Sequence, residues 1–78
     1  MHNAPPPVEQ NMDDWLYHTA EDLVRRVGKA SSSLLHRRMH VGKPRADHLM
    51  TMLEERGVFA EMGLVKTKKL GWRSPDDL

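Results

Sequence analysis

The sequence predicts a small, mainly α-helical fold closed by a β-hairpin, and three observations carry that prediction. Between Ala30 and Phe59, two segments with helical apolar spacing flank a Gly-Lys-Pro corner. A longer amphipathic segment precedes them, and a Lys-rich stretch framed by Leu64 and Trp72 follows. Two short helices around a tight corner outline a helix-turn-helix. A helix before them and a hairpin after them make it the winged helix-turn-helix, three helices plus wing.

Residues 1–11 read as a disordered, proline-rich arm. Pro5, Pro6 and Pro7 have no N–H for helix or sheet and favour polyproline II. A ligand for an aromatic groove is the alternative, but no full PxxP context supports it. The folded domain is expected over residues 12–73, with a tail at 74–78. Asn11 and the Asp13-Asp14 pair suit a helix start, where acids meet the positive end of the dipole. The first helix then runs over about residues 13–27, with Leu16, Ala20, Leu23, Val24 and Val27 on one side. Trp15 flanks that stripe, Arg25 and Arg26 suit the last turn, and Gly28 stops it.

Lys29, Ala30 and Ser31 form a short extended link, in a place where a winged helix often has a brief strand pairing with the wing. The second helix is expected over residues 32–39, opening on serines that can accept from free N–H groups and burying Leu34, Leu35 and Met39. Gly42 is read as the left-handed residue of the corner. Pro44 suits the first turn of the third helix, over residues 44–56, with Ala46, Leu49, Met50 and Leu53 turned inward and Gly57 ending it. Residues 58–60 read as the start of a strand, with Phe59 on the core. Met62 and Gly63 make a bend. Residues 64–73 then form a hairpin with a basic tip, anchored by Leu64, Leu70 and Trp72. Met39, Met50 and Met52 serve as adaptable core filler.

Seventy-eight residues make one domain with a modest core. The absence of cysteine excludes a disulfide framework and a thiolate metal site, and fits a reducing compartment. No apolar run is long enough to span a bilayer and no signal-peptide core opens the chain, so a cytoplasmic, nucleoid-associated location is expected. The net charge of +1 hides an asymmetry. All twelve Lys and Arg lie between Arg25 and Arg73, against only four acids there, Asp47, Glu54, Glu55 and Glu61. A basic middle between acidic ends is the footprint of polyanion binding by one face.

In a helix-turn-helix, the second helix enters the DNA major groove and its N-terminal residues touch base edges. Here those residues are Lys43, Arg45, Asp47 and His48. Arg45 is the leading candidate, because an early Arg can bond guanine O6 and N7 together. Lys43 can reach a base or a phosphate, His48 can donate or accept, and Asp47 can accept from cytosine N4 or orient an Arg. Arg37 and Arg38, on the helix that crosses the backbone, position rather than specify. Lys66, Lys68, Lys69 and Arg73 place the wing along phosphates. Ser32 and Ser33 add N–H or hydroxyl contacts beside their capping role.

Other chemistry is thin. His36 and His40 have the spacing of a metal pair on a helix, but Arg37 stands where a zinc protease has Glu, and no third ligand is evident. Asp13-Asp14 and Glu54-Glu55 are adjacent pairs that point to different sides of a helix and make no acid/base dyad. No catalytic set, cofactor site or small-molecule pocket is evident.

The run from Asp14 to Phe59 resembles the gamma domain of the bacterial DNA translocases FtsK and SpoIIIE. Leu16-Tyr17-His18-Thr19-Ala20, the Ala30-Ser31-Ser32-Ser33 link, Leu35 to Val41, and Gly42-Lys43-Pro44-Arg45-Ala46-Asp47-His48-Leu49 follow that family's order, ending on Leu53-Glu54-Glu55-Arg56-Gly57. The resemblance implies a winged helix that binds double-stranded DNA and reads a short sequence. Lys43-Pro44 replaces the family's Tyr-Asn and His48 its second Arg, while Arg45 and Ala46 match, so the family's target sequence does not carry over. The motor's GxxxxGK[ST] phosphate loop does not occur in these residues.

These readings together suggest a freestanding, sequence-specific DNA-binding protein, a small transcriptional regulator, most simply a repressor, of a plasmid, phage or other mobile element. An excised domain is the other origin. Dimers are usual for readers of palindromes, but no zipper is visible, and monomers side by side on DNA are the alternative mode of self-association. Two rival functions remain: a protein-interaction module whose basic face docks an acidic partner, and an architectural protein that coats DNA with little sequence preference.

Overall fold

The computed structural model describes residues 7–78, and side chains from Asp14 onward. In chain order it has α1 (Pro7–Val27), α2 (Ser32–Met39), α3 (Lys43–Glu55), a one-turn α4 (Val58–Glu61), β1 (Val65–Lys66) and β2 (Trp72–Arg73), then a 3-10 turn (Pro75–Asp77). It is mainly helical with a small antiparallel hairpin, the winged arrangement expected, with α4 added.

The first helix begins at Pro7, earlier than the acids at 13 and 14 suggest. Pro is tolerated in a first turn, where its missing N–H would have no helical partner. The arm expected over 1–11 therefore loses residues 7–11 to α1, and residues 1–6 lie outside the described residues. The buried stripe of α1 is Tyr17, Ala20 and Val24, with Leu16 and Leu23 only half-buried beside it. Tyr17 was not expected inside. Its ring lies under the Arg56 guanidinium, whose Cζ is 4.2 Å from the ring centroid, so the phenol body is covered by the end of α3. Burial pushes the Tyr17 pKa up, Glu21 adds to that, and Arg56 opposes it. Trp15 stays 65% exposed. Gly28, at φ 85°, ends α1. Arg25 pairs with Glu21 and with Glu61, tying α1 to the end of α4, and these carboxylates raise the Arg25 pKa.

The helix-turn-helix corner differs from expectation in which residue bends. His40 takes the left-handed conformation at φ 57°, whereas Gly42 is extended at φ −64° and caps α3. The corner is held by His36, whose Nδ1–H donates to the Val41 carbonyl at 2.6 Å. From Gly42 the third helix runs to Glu55, turning Ala46, Leu49 and Leu53 inward. Gly57 follows at φ 78° and reverses the chain.

Residues 58–60, expected as a strand, form α4 instead. A short apolar run does not distinguish strand from buried helical turn. Here one turn suffices to bury both Val58 and Phe59, which a strand of alternating faces would separate. Phe59 then lies among the largest fully buried side chains, with Leu35, Leu49, Leu53 and Val24. Met39, Met50 and Met52 pack half-buried against this core.

The wing docks onto the core through backbone bonds. Val65 pairs with Arg73 and Lys66 with Trp72. Ala30 adds a third strand position: its N–H donates to the Trp72 carbonyl at 2.9 Å, and the Trp72 N–H donates back at 2.7 Å. Trp72 packs on Phe59 with ring centroids 4.8 Å apart. Leu64 is buried as expected, but Leu70 is 56% exposed and anchors nothing. The tip is held by Thr67, whose hydroxyl accepts from the Leu70 N–H at 2.9 Å. The tail at 74–78 is a capped 3-10 turn, with Ser74 Oγ accepting from the Asp76 N–H.

Gly71 shows how closely the link approaches. It has φ 80°, and a Cβ there would stand 2.2 Å from the Ala30 carbonyl oxygen. Gly71→Ala is expected to loosen the Ala30–Trp72 pairing and to cost more than about 2 kcal/mol in urea unfolding, where strain and a lost backbone bond combine. Gly42→Ala, with ordinary φ and no close neighbour, is expected within about 1 kcal/mol.

Candidate nucleic-acid interface

The leading end of α3 is presented outward because its apolar residues are fixed inward. Ala46 and Leu49 are buried, so helical spacing leaves Lys43, Pro44, Arg45, Asp47 and His48 exposed. These residues divide between two sides. Lys43 and Asp47 line a groove between α3 and the wing, together with Thr51 and Glu54 further along the helix. Pro44, Arg45 and His48 stand outside that groove on the remaining exposed surface of α3.

The groove holds about 440 Å³. Its far wall carries Lys66, Lys68 and Lys69, and Trp72 lines it from β2. Ser31, Ser32 and Ser33 line the end formed by α2. Three wing lysines thus face Lys43 and two carboxylates, Asp47 and Glu54, across a space open to solvent. Glu54 is a groove residue that the sequence did not single out. Its position follows from Asp47 and Thr51 by helical spacing once the groove side of α3 is known.

The serines have distinct jobs. Ser31 caps α2, its Oγ accepting from the Leu34 N–H at 3.0 Å. Ser32 donates its hydroxyl to Asp47 Oδ1, which joins the start of α2 to α3 across the groove. Ser33 is exposed. Asp47 is thereby held toward α2.

The remaining expected contact residues do not line this groove. Arg37, Arg38 and Arg73 meet in a separate cleft of about 310 Å³, lined also by Lys29, Leu34 and Leu70. The sequence reading grouped all the cations on one contact surface; the fold distributes them over two. The reason is the alternation of β2, which sends Trp72 and Arg73 to opposite faces. Lys29 was missed as a partner of the arginines, since only the Ala30–Trp72 pairing brings the link beside the wing.

His36 and His40 do not form the metal pair their spacing allowed. His36 is engaged with Val41, and His40 has left the helix in a left-handed turn. Among the described residues no group of three or more His, Asp or Glu is arranged to hold a metal ion. Among them, too, no helix is long and apolar enough to cross a membrane.

With the geometry in place, the comparisons are specific. Residues 11–70 match the model of the Ftsk gamma domain. The DNA translocase FtsK of Listeria monocytogenes is 43% identical over 53 residues, which is 68% of this chain and 7% of that protein. That of Halalkalibacterium halodurans is 34% identical over 70 residues, 90% of this chain and 9% of the relative. That of Leptospira interrogans is 47% identical over 45 residues, 58% of this chain and 5% of the relative. The chain therefore spans less than a tenth of the length of these relatives. No solved structure matches.

The capping role of Ser31 separates cleanly from surface effects. Ser31→Ala is expected to lower stability by about 1 kcal/mol in chemical denaturation, whereas Ser33→Ala is expected to stay within about 0.5 kcal/mol.

Proposed function

The chain belongs to the Ftsk gamma domain family, and on that premise we propose that it binds double-stranded DNA and reads a short sequence in it. The observation that supports this best is the leading end of α3. Its apolar side is locked into the core, Lys43, Arg45, Asp47 and His48 are all exposed, and Lys43 and Asp47 share a groove with a wall of lysines. A helix so presented can enter the major groove while the wing follows the backbone.

Each residue has a role set by its chemistry. Arg45 reads guanine through O6 and N7, and His48, one turn on, contacts the neighbouring base pair. Asp47, steadied by Ser32, accepts from cytosine N4 with its remaining lone pairs. Lys43, Lys66, Lys68 and Lys69 neutralise phosphates. Pro44 fixes the first turn of α3 and, lacking an N–H, leaves that position without a backbone donor to DNA. Ser33 and the N-terminal end of α2 offer further donors to a phosphate.

The regulatory reading goes further. Residues that bind duplex DNA at a promoter obstruct transcription without other machinery, so the role proposed is repression, in a plasmid, phage or other mobile element. The site acts in the cytoplasm on nucleoid DNA, and copies meet side by side only on the duplex. With Lys43-Pro44 and His48 at the reading positions, the target sequence is this chain's own.

Titration of duplex DNA at several salt concentrations tests the phosphate contacts. If each groove lysine neutralises one phosphate, the groove contributes roughly 4 to the slope at which log affinity falls against log salt, at about 0.9 per phosphate. Affinity indifferent to salt would remove the reading. Arg45→Ala should flatten discrimination between selected and unrelated sites by about 1–3 kcal/mol. Lys68→Ala should weaken all sites alike and reduce the salt slope by about 1. Identical profiles for the two variants would undo the division of roles.

A further inference from the structure

The cleft behind the wing has the properties of an anion site. It is lined by Lys29 from the link, Arg37 and Arg38 from α2, and Arg73 from β2, and no acid lines it. None of these four cations forms an ion pair with a described residue. Two arginines of α1 are matched by contrast: Arg25 has Glu21 and Glu61, and Arg26 has Asp22. The Nε of Arg73 is buried and has no hydrogen-bond partner among the described residues. A buried donor without an acceptor is costly, and like charges sharing a small space repel. An anion with several acceptor oxygens relieves the repulsion, and the planar guanidinium fork matches a phosphate. Leu70, 56% exposed, lines the same cleft and offers an apolar surface that a deoxyribose can cover.

We propose that this cleft binds a phosphodiester of the DNA backbone, on the opposite face of β2 from the groove that α3 lines, so that the wing stands between two stretches of backbone. The inference rests on the duplex-binding reading above and deepens it. It takes Arg37, Arg38 and Arg73 away from the groove, adds Lys29, and gives the four a sequence-independent holding role.

The experiment is phosphate-ethylation interference combined with the salt slope, on the whole chain and on the variant Lys29→Gln/Arg37→Gln, with Arg37→Gln alone as the milder change. Arg37 is exposed and Lys29 half-buried, and a melting curve checks that the variants fold. The whole chain should show two separated runs of interfering phosphates. The double variant should lose one run, lower the salt slope by roughly 2 at about 0.9 per phosphate, and keep the sequence preference of the parent. A double variant with both runs and an unchanged slope overturns the cleft assignment and leaves duplex binding intact. A parent chain that retains no duplex at any salt overturns both. Inorganic phosphate is the second probe: if it shifts the Arg73 Nε–H resonance while the variant's interference pattern on duplex is unaltered, the cleft serves a free anion and the backbone assignment falls.

Discussion

The two hydrogen bonds between Ala30 and Trp72 fix where the cations of the wing stand. Strands of two residues each make a hairpin that is marginal by itself. Here the hairpin gains a third strand position from the α1–α2 link, and Trp72 lays its ring on Phe59 at the edge of the core. Gly71 permits the approach, since any Cβ at that point would strike the Ala30 carbonyl. Once Trp72 is held on the core side, Lys66 shares its face and Arg73 must leave on the other. One packed indole therefore divides the basic surface into a groove toward α3 and a cleft toward α2.

The corner between α2 and α3 is the second rigid element. Ser31 caps α2, His36 holds the Val41 carbonyl, and Ser32 reaches Asp47 on the next helix. The last two contacts span the junction that aims α3. The burial of Ala46, Leu49 and Leu53 then sets the helix's rotation about its axis, so the exposed residues of its first turns follow from the apolar ones. Aim and rotation together are what a reading helix requires, because a side chain must reach a base edge within hydrogen-bond distance.

Much of this was legible in the sequence because it rests on local rules. Helical spacing with flanking Gly and Ser residues located α2 to the residue, and Gly28 and Gly57 stop their helices as expected. The pairing of the link with the wing was anticipated as well. What escaped depended on tertiary contacts. Tyr17 is buried because Arg56, distant in sequence, lies over its ring. Residues 58–60 coil because the core has room for Val58 and Phe59 on one side. His40 takes the left-handed turn because Gly42 is needed extended as the cap of α3. The separation of the cations into two sites was invisible, since charge counted along a chain carries no information about which face of a strand it occupies.

That separation bears on how affinity and specificity can coexist in so few residues. The groove sets four lysines against Asp47 and Glu54, whereas the cleft sets four cations against no acid. Carboxylates beside the lysine wall repel a phosphate that the lysines attract, so on the proposed reading the groove's net hold depends on which bases meet the side chains of α3. On the same reading, a cleft with unopposed cations holds any sequence, in proportion to the counterions released. On the proposed duplex reading, the acids stand with α3 and the unpaired arginines behind the wing, so contacts that depend on sequence and contacts that do not fall to different surfaces. The same cations gathered into one groove would neutralise the carboxylates there and blunt that discrimination.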